Sequence, residues 1–211
     1  MNEIEIFSDG EDFARLIAVL HIYDLYESIN NVLDVGAGRG TYIFKRHFKN
    51  YIAIEQDKEL AKNINQKLDV IEGKHSVFGI DFFDFNTNEM FDLILLNNFI
   101  TVLPMPKVVR CLKKCFEMLN DGGVLFVRAN SNFHSDIKKA REESDTEEYQ
   151  ECKFKLKDES YFKNYFKKEE IVNLITSIEF KIFVVRREDE EFEGQEFFKS
   201  EFLIFAMKTS D

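Results

Sequence analysis

The sequence predicts an α/β fold: a doubly wound, mostly parallel seven-stranded sheet with helices on both faces, a C-terminal antiparallel hairpin and a preceding N-terminal helix. Short apolar runs alternate with stretches of helical periodicity through residues 31–130, which is the pattern of a parallel sheet with crossover helices. One helix and two long apolar strands joined by an acidic loop follow, which is typical of a hairpin. Because 211 residues with 45% hydrophobic content can bury one sizeable core, we expect a single domain over 1–211.

An N-terminal helix and five strands are predicted before the chain changes character. The helix covers residues 11–29, with Ser8 or Asp9 as its N-cap. The strands are the apolar runs NVLDV, YIAIE, HSVFGI, FDLILL and VLFVRAN. Three further helices are predicted. The first follows the glycine loop after NVLDV and ends at about His47 or Phe48, and the second covers DKELAKNINQKL with Asp57 as its N-cap. The third covers PKVVRCLKKCFEML, begins at Pro106 and is ended by Asp121, Gly122 and Gly123.

The C-terminal segment supplies the remaining elements. KKEEIVNLITSI predicts a helix, and EFKIFVVRRE and FFKSEFLIFAMK predict the two hairpin strands, whose phenylalanines we expect in the sheet core. Cys111 and Cys115 lie one helical turn apart on an apolar stripe, which favours core packing over metal or redox chemistry. We therefore expect no metal.

Composition and net charge favour some classes of binding partner over others. The net charge is −11, and much of it lies in the runs REESDTEEYQE and EDEEFEGQE, which read as solvated loops or helix faces. An acidic chain repels phosphate backbones at long range, which disfavours a nucleic-acid substrate and favours a small or cationic acceptor. The three cysteines, including Cys152, form no disulfide framework, and no signal-peptide or membrane-length apolar run is present. We expect a cytoplasmic monomer or homodimer that binds no membrane.

The loop after the first strand carries the main functional signal. Gly36, Gly38 and Gly40 give the spacing GxGxG, and Thr41 occupies the position where a dinucleotide fingerprint requires its third glycine. Asp34 precedes the loop. A carboxylate roughly 6 Å from a phosphate, at an effective dielectric near 20, would cost about 3 kcal/mol per unit charge, whereas beside an ammonium it is favourable. These observations favour S-adenosylmethionine (SAM) over a dinucleotide.

The segment Asp34-Val35-Gly36-Ala37-Gly38-Arg39-Gly40 resembles the first motif of the class I SAM-dependent methyltransferases, and the antiparallel C-terminal hairpin is similar to that family's ending. The resemblance implies that the loop backbone approaches the ligand and that amides at the next helix face its carboxylate. It also implies that Glu55 accepts the ribose hydroxyls, which alone would suit NAD as well, and that Asp81 and Phe82 hold the adenine, with Asp84 competing for the role of Asp81. The implied cofactor residues are Asp34, Gly36, Ala37, Gly38, Gly40, Glu55, Gln56, Asp81, Phe82 and Asn97.

The run FDLILLNNFITVLPMP is similar to the family's fourth motif, in which a strand ends beneath the transferable methyl group. Asn97 and Asn98 would orient an acceptor or contact the methionine part of SAM, or else they only cap backbone groups at a turn. The run departs from the Asn/Asp-Pro-Pro-aromatic motif of many amino-group methyltransferases, since Pro104 and Pro106 come too late. This departure puts a nucleobase or glutamine acceptor in doubt.

Residues 1–30 and 130–168 lie outside the cofactor motifs, so we interpret them as a helical extension and a variable substrate or lid segment. Candidate acceptor-side residues are Arg128, Asn130, His134, Tyr161 and Tyr165. His134 is either a base at neutral pH or a solvated loop side chain, and Arg128 pairs with a substrate carboxylate or with a structural acid. His21 is either a lid residue or a packed one. No catalytic residue is identified; His134, Asn98 and Tyr161 are weak candidates.

The predicted function is methyl transfer from SAM to a small molecule by in-line displacement, which leaves S-adenosylhomocysteine (SAH) as product. Three alternatives stay open: a methyltransferase of a protein or RNA acceptor, a SAM-binding protein without catalysis, and an NAD-dependent oxidoreductase.

Overall fold

The computed structural model describes residues 10–40, 48–69, 73–137, 153–154, 163–191 and 198–209. Several sequence predictions fall outside these residues: the N-cap at Ser8 or Asp9, Thr41, Tyr161, Cys152, the helix after the glycine loop and most of the acidic runs. The chain forms two compact units, Met1–Leu95 with Met118–Gly123 (the first unit) and Leu96–Glu117 with Val124–Asp211 (the second unit). The expectation of a single domain over 1–211 stays a prediction.

The predicted seven-stranded α/β sheet is confirmed. Its strands are β1 (Asn31–Val35), β2 (Asn50–Ile54), β3 (Lys74–Phe78), β4 (Phe91–Asn97), β5 (Leu119–Asn130), β8 (Phe180–Glu191) and β9 (Phe198–Lys208). They lie in the order β3-β2-β1-β4-β5-β9-β8 across the sheet. A second sheet, which the sequence did not predict, pairs β6 (Lys153–Phe154) with β7 (Lys163–Asn164).

The first unit is built on parallel strands. β1 lies between β2 and β4, with Leu33 opposite Ile52 on one side and opposite Ile94 on the other. β1 is nearly all buried and β2 entirely so, because parallel strands are covered on both faces. Helix α2 (Lys58–Leu68) begins where predicted, since the Asp57 side chain accepts hydrogen bonds from the N–H groups of Glu59 and Leu60. The carboxyl ends of β1 and β2 therefore precede the glycine loop and α2.

Helix α1 (Gly10–Ile22) ends earlier than predicted, and a short 3-10 helix (Tyr26–Ser28) follows it. Asp24 has a φ of 54°, and the N–H groups of Asp24 and Leu25 donate to the carbonyls of His21 and Leu20. This is a Schellman motif with aspartate in the position that glycine usually fills. The prediction of a helix to Ile29 was wrong because the sequence has no glycine there to mark the end.

The second unit contains the antiparallel part of the sheet. β9 pairs antiparallel with β5 on one side and with β8 on the other, which confirms the C-terminal hairpin. Helix α4 (Lys168–Thr176) precedes it, and Phe202 and Phe205 of β9 are buried in the core as predicted. None of the described helices is long and apolar enough to cross a membrane.

Helix α3 (Met105–Met118) carries the two predicted core cysteines. Cys111 and Cys115 are both buried with free thiols, and burial raises the pKa of Cys111 well above its usual value. Asp121, Gly122 and Gly123 were predicted to end this helix, but it ends at Met118 and those residues belong to β5. The start of β5 is held at Asn120, whose side chain donates to Asp92 Oδ1 over 2.7 Å.

Candidate functional site

The glycine loop leaves β1 in a left-handed backbone conformation at each of its glycines. The φ angles are 66° at Gly36, 56° at Gly38 and 74° at Gly40. The N–H groups of Gly36 and Ala37 both donate to the carbonyl of Ile54, over 2.8 and 3.1 Å, and so the loop is anchored to the end of β2. A β-carbon on Gly38 would lie 3.8 Å from its nearest neighbour, the Gly36 carbonyl oxygen. Conformation rather than space therefore requires glycine at position 38.

Glu55 ties the glycine loop to the start of α2. Its Oε2 accepts from the N–H of Gly38 over 2.8 Å, and its Oε1 accepts from the N–H of Asp57 over 2.9 Å. The residue is buried, with its own N–H bonded to the carbonyl of Phe78. A carboxylate oxygen has two acceptor sites, so each oxygen retains one for a ligand hydroxyl. Gln56, the next residue, is exposed.

Asp34 is a buried carboxylate with one free oxygen. Its Oδ2 accepts a hydrogen bond from Tyr51 Oη over 2.7 Å, and its Oδ1 has no hydrogen-bond partner among the described residues. Burial raises the pKa of Asp34 to about 7; the Tyr51 hydrogen bond opposes that rise, and the Glu55 charge adds to it. An orphaned buried oxygen at a ligand loop fits a cationic partner. Tyr51 was not predicted, because strand pairing rather than spacing along the chain brings it to Asp34.

Asp81 and Phe82 lie where β3 gives way to a short 3-10 helix (Phe82–Asp84). The Asp81 side chain caps this helix by accepting from the N–H of Phe83 over 2.9 Å. Phe82 is only 2% exposed, so its ring packs inside the core, and the half-buried ring beside it belongs to Phe83. Asp84 is exposed. The adenine roles of Asp81 and Phe82 stay predictions, and Phe83 is the more accessible aromatic neighbour.

In the second unit, Asn98 is held in an unusual backbone conformation just after β4. Its φ is 55°, its N–H donates to the carbonyl of Arg128 over 2.9 Å, and its own carbonyl accepts from the Thr101 hydroxyl. Its side-chain Nδ2 donates to Glu201 Oε1 over 2.9 Å, which fixes the direction of the amide because a carboxylate only accepts. The Oδ1 atoms of Asn97 and Asn98 are buried without partners among the described residues. Asparagine tolerates the left-handed region in turns, so the unpartnered amide oxygens rather than the φ angle make Asn97 and Asn98 candidates for a ligand contact.

Arg128 pairs with a structural acid. Its guanidinium contacts Glu201 Oε2 through both Nε and Nη2, and both side chains are buried. Lys199 adds a second cation, with Nζ 3.1 Å from the same Oε2. The sequence left open whether Arg128 pairs with a substrate carboxylate or with a structural acid, and in the structure it pairs with the structural acid Glu201. The sequence did not indicate Glu201, because it lies far from Arg128 along the chain and comes close to it only through the antiparallel pairing of β9 with β5.

His134 is buried, which excludes the solvated alternative for this residue. Its Nδ1 accepts from the N–H of Asp136 over 3.2 Å, so the neutral ring carries its proton on Nε2. Burial lowers the pKa of His134, and the carboxylates of Asp136 and Glu201 act in the opposite direction. A neutral ring in this tautomer presents an N–H donor at Nε2, which disfavours a role as base at that atom.

Three other candidates, Tyr165, Asn130 and His21, differ in their burial and in their partners. Tyr165 is buried, its hydroxyl donates to Asp136 Oδ2 over 2.6 Å, and its ring lies 5.4 Å from that of His134. Asn130 is also buried, and its carbonyl accepts from the N–H of Phe166. His21 is exposed, with its ring 4.2 Å from that of Tyr26. No group of metal-ligating side chains is found among the described residues.

Comparison with solved structures identifies the same fold in methyltransferases. A SAM-dependent methyltransferase from Methanosarcina mazei superposes with a TM-score of 0.69 at 19% identity, over 90% of this chain and 98% of that one. A 1,6-didemethyltoxoflavin-N1-methyltransferase from Burkholderia thailandensis, with bound 1,6-didemethyltoxoflavin and SAH, gives 0.69 at 14% identity, over 96% and 80%. The N-methyltransferase NodS from Bradyrhizobium japonicum in complex with SAH gives 0.61 at 17% identity, over 96% and 90%.

A family model described as a methyltransferase domain matches residues 33–125. The chain is therefore similar to methyltransferases over residues 33–125, and it shares their fold. No curated protein matches it. The match begins just before Asp34 and extends into β5, so it contains every cofactor residue that the resemblance implied. The unpartnered Asp34 Oδ1 and the left-handed glycines are features that would fit SAM as a cofactor.

Proposed function

We propose that this methyltransferase transfers the methyl group of SAM to a small-molecule acceptor. The observation that carries the proposal is the cluster in the first unit, where the left-handed glycine loop lies beside two carboxylates, Asp34 and Glu55. SAM carries a cationic amino group and ribose hydroxyls, and Asp34 and Glu55 offer acceptor oxygens to these two groups. A pyrophosphate, by contrast, would be repelled by the two acids.

Each residue of the cluster has a proposed part in binding. Asp34 Oδ1 accepts from the ammonium of SAM, and Glu55 accepts from the ribose hydroxyls with the lone pairs that its two backbone bonds leave over. The backbone of Gly36, Ala37, Gly38 and Gly40 approaches the methionine part, and Asp81 accepts from the adenine amino group. Gln56, Phe82 and Asn97 complete the proposed cofactor set.

The chemistry demands little from acid or base groups. SAM supplies a methyl group on a sulfonium, which departs as a neutral thioether. The chain's residues have to align the acceptor and keep water out, and proximity alone contributes roughly 7 to 11 kcal/mol. The proton on Nε2 of His134 and the fixed amide of Asn98 suit orientation of an acceptor better than removal of its proton. An amine acceptor, which attacks through a lone pair, needs no base until after the transfer.

Two observations favour a small acceptor over a macromolecule. The net charge of −11 opposes docking of RNA, and several proteins with this fold are named for small molecules, such as 1,6-didemethyltoxoflavin. We extend the proposal to a cytoplasmic location, which the free thiols of Cys111 and Cys115 support, and to a monomer or homodimer that binds neither nucleic acid nor membrane.

Isothermal titration with SAH tests the cofactor site. We expect wild-type protein to bind SAH, and Glu55→Gln to bind it at least about tenfold more weakly, because an amide is a poorer acceptor for the hydroxyls than a carboxylate. Glu27→Gln, the same change at an exposed acid of the first unit, is the matched control and should bind like wild type. Wild-type protein that fails to bind either SAH or SAM at high micromolar concentration would contradict the proposal.

Tritiated SAM incubated with fractionated cell extract tests the acceptor class. We expect the label to pass into the low-molecular-weight filtrate when the extract contains the acceptor. Label retained on protein or RNA would instead support the macromolecular alternative, and SAH binding without transfer to any fraction would support a non-catalytic SAM-binding protein.

A further inference from the structure

We propose that Tyr51 is a positioning residue for the cofactor. Its hydroxyl donates a hydrogen bond to Oδ2 of Asp34, which leaves Oδ1 available for the ammonium of SAM and favours the ionised form of the carboxylate. The inference rests on the proposed cofactor role of Asp34. It assigns a function to a tyrosine of β2 that lies in no glycine motif.

The register of the sheet brings the two side chains together. β1 and β2 are parallel neighbours with Val32 opposite Tyr51 and Asp34 opposite Ala53, so Asp34 and Tyr51 are diagonal neighbours. Residues two apart on a strand point to the same face, and therefore the long tyrosine side chain reaches the short aspartate side chain. The resulting bond, 2.7 Å from Tyr51 Oη to Asp34 Oδ2, is fully buried and fixes which carboxylate oxygen is occupied.

Because Asp34 is buried, the hydrogen bond from Tyr51 affects whether the Asp34 side chain is ionised. The Asp34 side chain is 1% exposed, and Tyr51 and Glu55 are the titratable groups that act on it among the described residues. Burial and the Glu55 charge both favour the protonated acid, and the Tyr51 hydrogen bond is the influence that favours the carboxylate. Without the hydroxyl, Asp34 would be largely protonated at neutral pH and would offer no charge to an ammonium.

The affinity for SAH measured against pH separates this role from a merely structural one. Titrations of the full chain from about pH 5 to about pH 9 should give a bell, in which the acidic limb reports Asp34 and the basic limb reports the ligand ammonium. In Tyr51→Phe the acidic limb should move upward by about one to two pH units, with about tenfold or greater weakening at neutral pH, while the basic limb stays in place. A structural hydrogen bond would lower the melting temperature without moving either limb.

Two controls keep the outcomes distinct. Tyr26→Phe removes a hydroxyl from another buried tyrosine of the first unit and should reproduce the wild-type profile. The ligand 5′-methylthioadenosine lacks the amino-acid part of SAH, so its affinity should not respond to Tyr51→Phe. If wild-type protein binds SAH but the profiles of wild type and Tyr51→Phe overlay, the role of Tyr51 is overturned.

Failure of the proposed function gives a different result, because wild-type protein would then bind SAH at no pH. Should Tyr51→Phe not fold, as judged by circular dichroism, Asp34→Asn provides the second measurement. That variant has no carboxylate to titrate, and so its acidic limb should be absent. An unchanged acidic limb in Asp34→Asn would overturn the inference as well.

Discussion

At the scale of the residue, Gly38 separates the backbone requirements of the site from its chemistry. Its φ of 56° is costly for any residue with a β-carbon, and its N–H is the donor that anchors Glu55. We expect Gly38→Ala to lose about 1 to 2 kcal/mol of unfolding free energy, which is the usual cost of a left-handed alanine. We also expect a clear loss of SAH affinity, since a strained loop would move the amides next to Glu55.

Gly122 is the matched control for this prediction. It has a φ of 77° and open space around its missing β-carbon, and it lies at the start of β5, outside the cofactor cluster. Urea denaturation should give Gly122→Ala a similar stability loss, whereas titration with SAH should leave its affinity at the wild-type value. Equal losses of affinity in both variants would mean that Gly38 acts only through stability.

Single residues also mark the limit of what the sequence predicts about the site. Asp34 and the glycines could be proposed from the sequence because their spacing within one loop carries the signal. Tyr51 and Glu201 were not found, because each reaches its partner through strand register, which the sequence determines only once the whole sheet has formed. Arg128 shows the same limit, since its choice between a substrate and a structural acid depended on a residue on another strand.

At the scale of the element, helix α2 shows how a local cap supports the site. Asp57 accepts from the N–H groups of Glu59 and Leu60, over 2.9 and 3.1 Å, and its own N–H donates to Glu55. Asp57→Ala should lower the unfolding free energy by about 1 kcal/mol, with an accepted range of roughly 0.5 to 2, and Asp57→Ser should recover most of it. Thermal or urea denaturation measures both. Equal stability of the alanine and serine variants would show that the side-chain cap contributes nothing.

Whether the boundary of an element was predicted correctly depended on whether the sequence carries a local signal for it. α2 was predicted correctly because an N-cap aspartate is a local, sequence-visible signal. The end of α1 was missed because Asp24 replaces the usual glycine, and the start of β5 was misplaced because Gly122 and Gly123 suggested a helix end after the helix had already ended. The small sheet of β6 and β7 has strands too short for any periodicity to reveal.

At the scale of the whole molecule, the buried Asp34 links folding to pH. Its pKa is about 7 in the folded protein against 3.8 for an ordinary aspartate, so the folded state holds a proton that the unfolded chain has released. The unfolding free energy therefore falls as pH rises from about 4 to about 7, by an amount on the order of 4 kcal/mol. Below about pH 4 both states are protonated, and the full contribution is present.

Urea denaturation of ligand-free protein near pH 5 and near pH 8 tests this linkage, with Asp34→Asn as the reference because its amide does not titrate. Wild type should lose stability relative to Asp34→Asn over that interval, and the same pH dependence in both proteins would contradict the prediction. SAH should reverse the difference at the higher pH, since its ammonium compensates the buried carboxylate and a ligand stabilises only the state that binds it. The charge that destabilises the empty protein is thus the one that the proposed cofactor requires, and so cofactor binding and global stability should respond to the same proton.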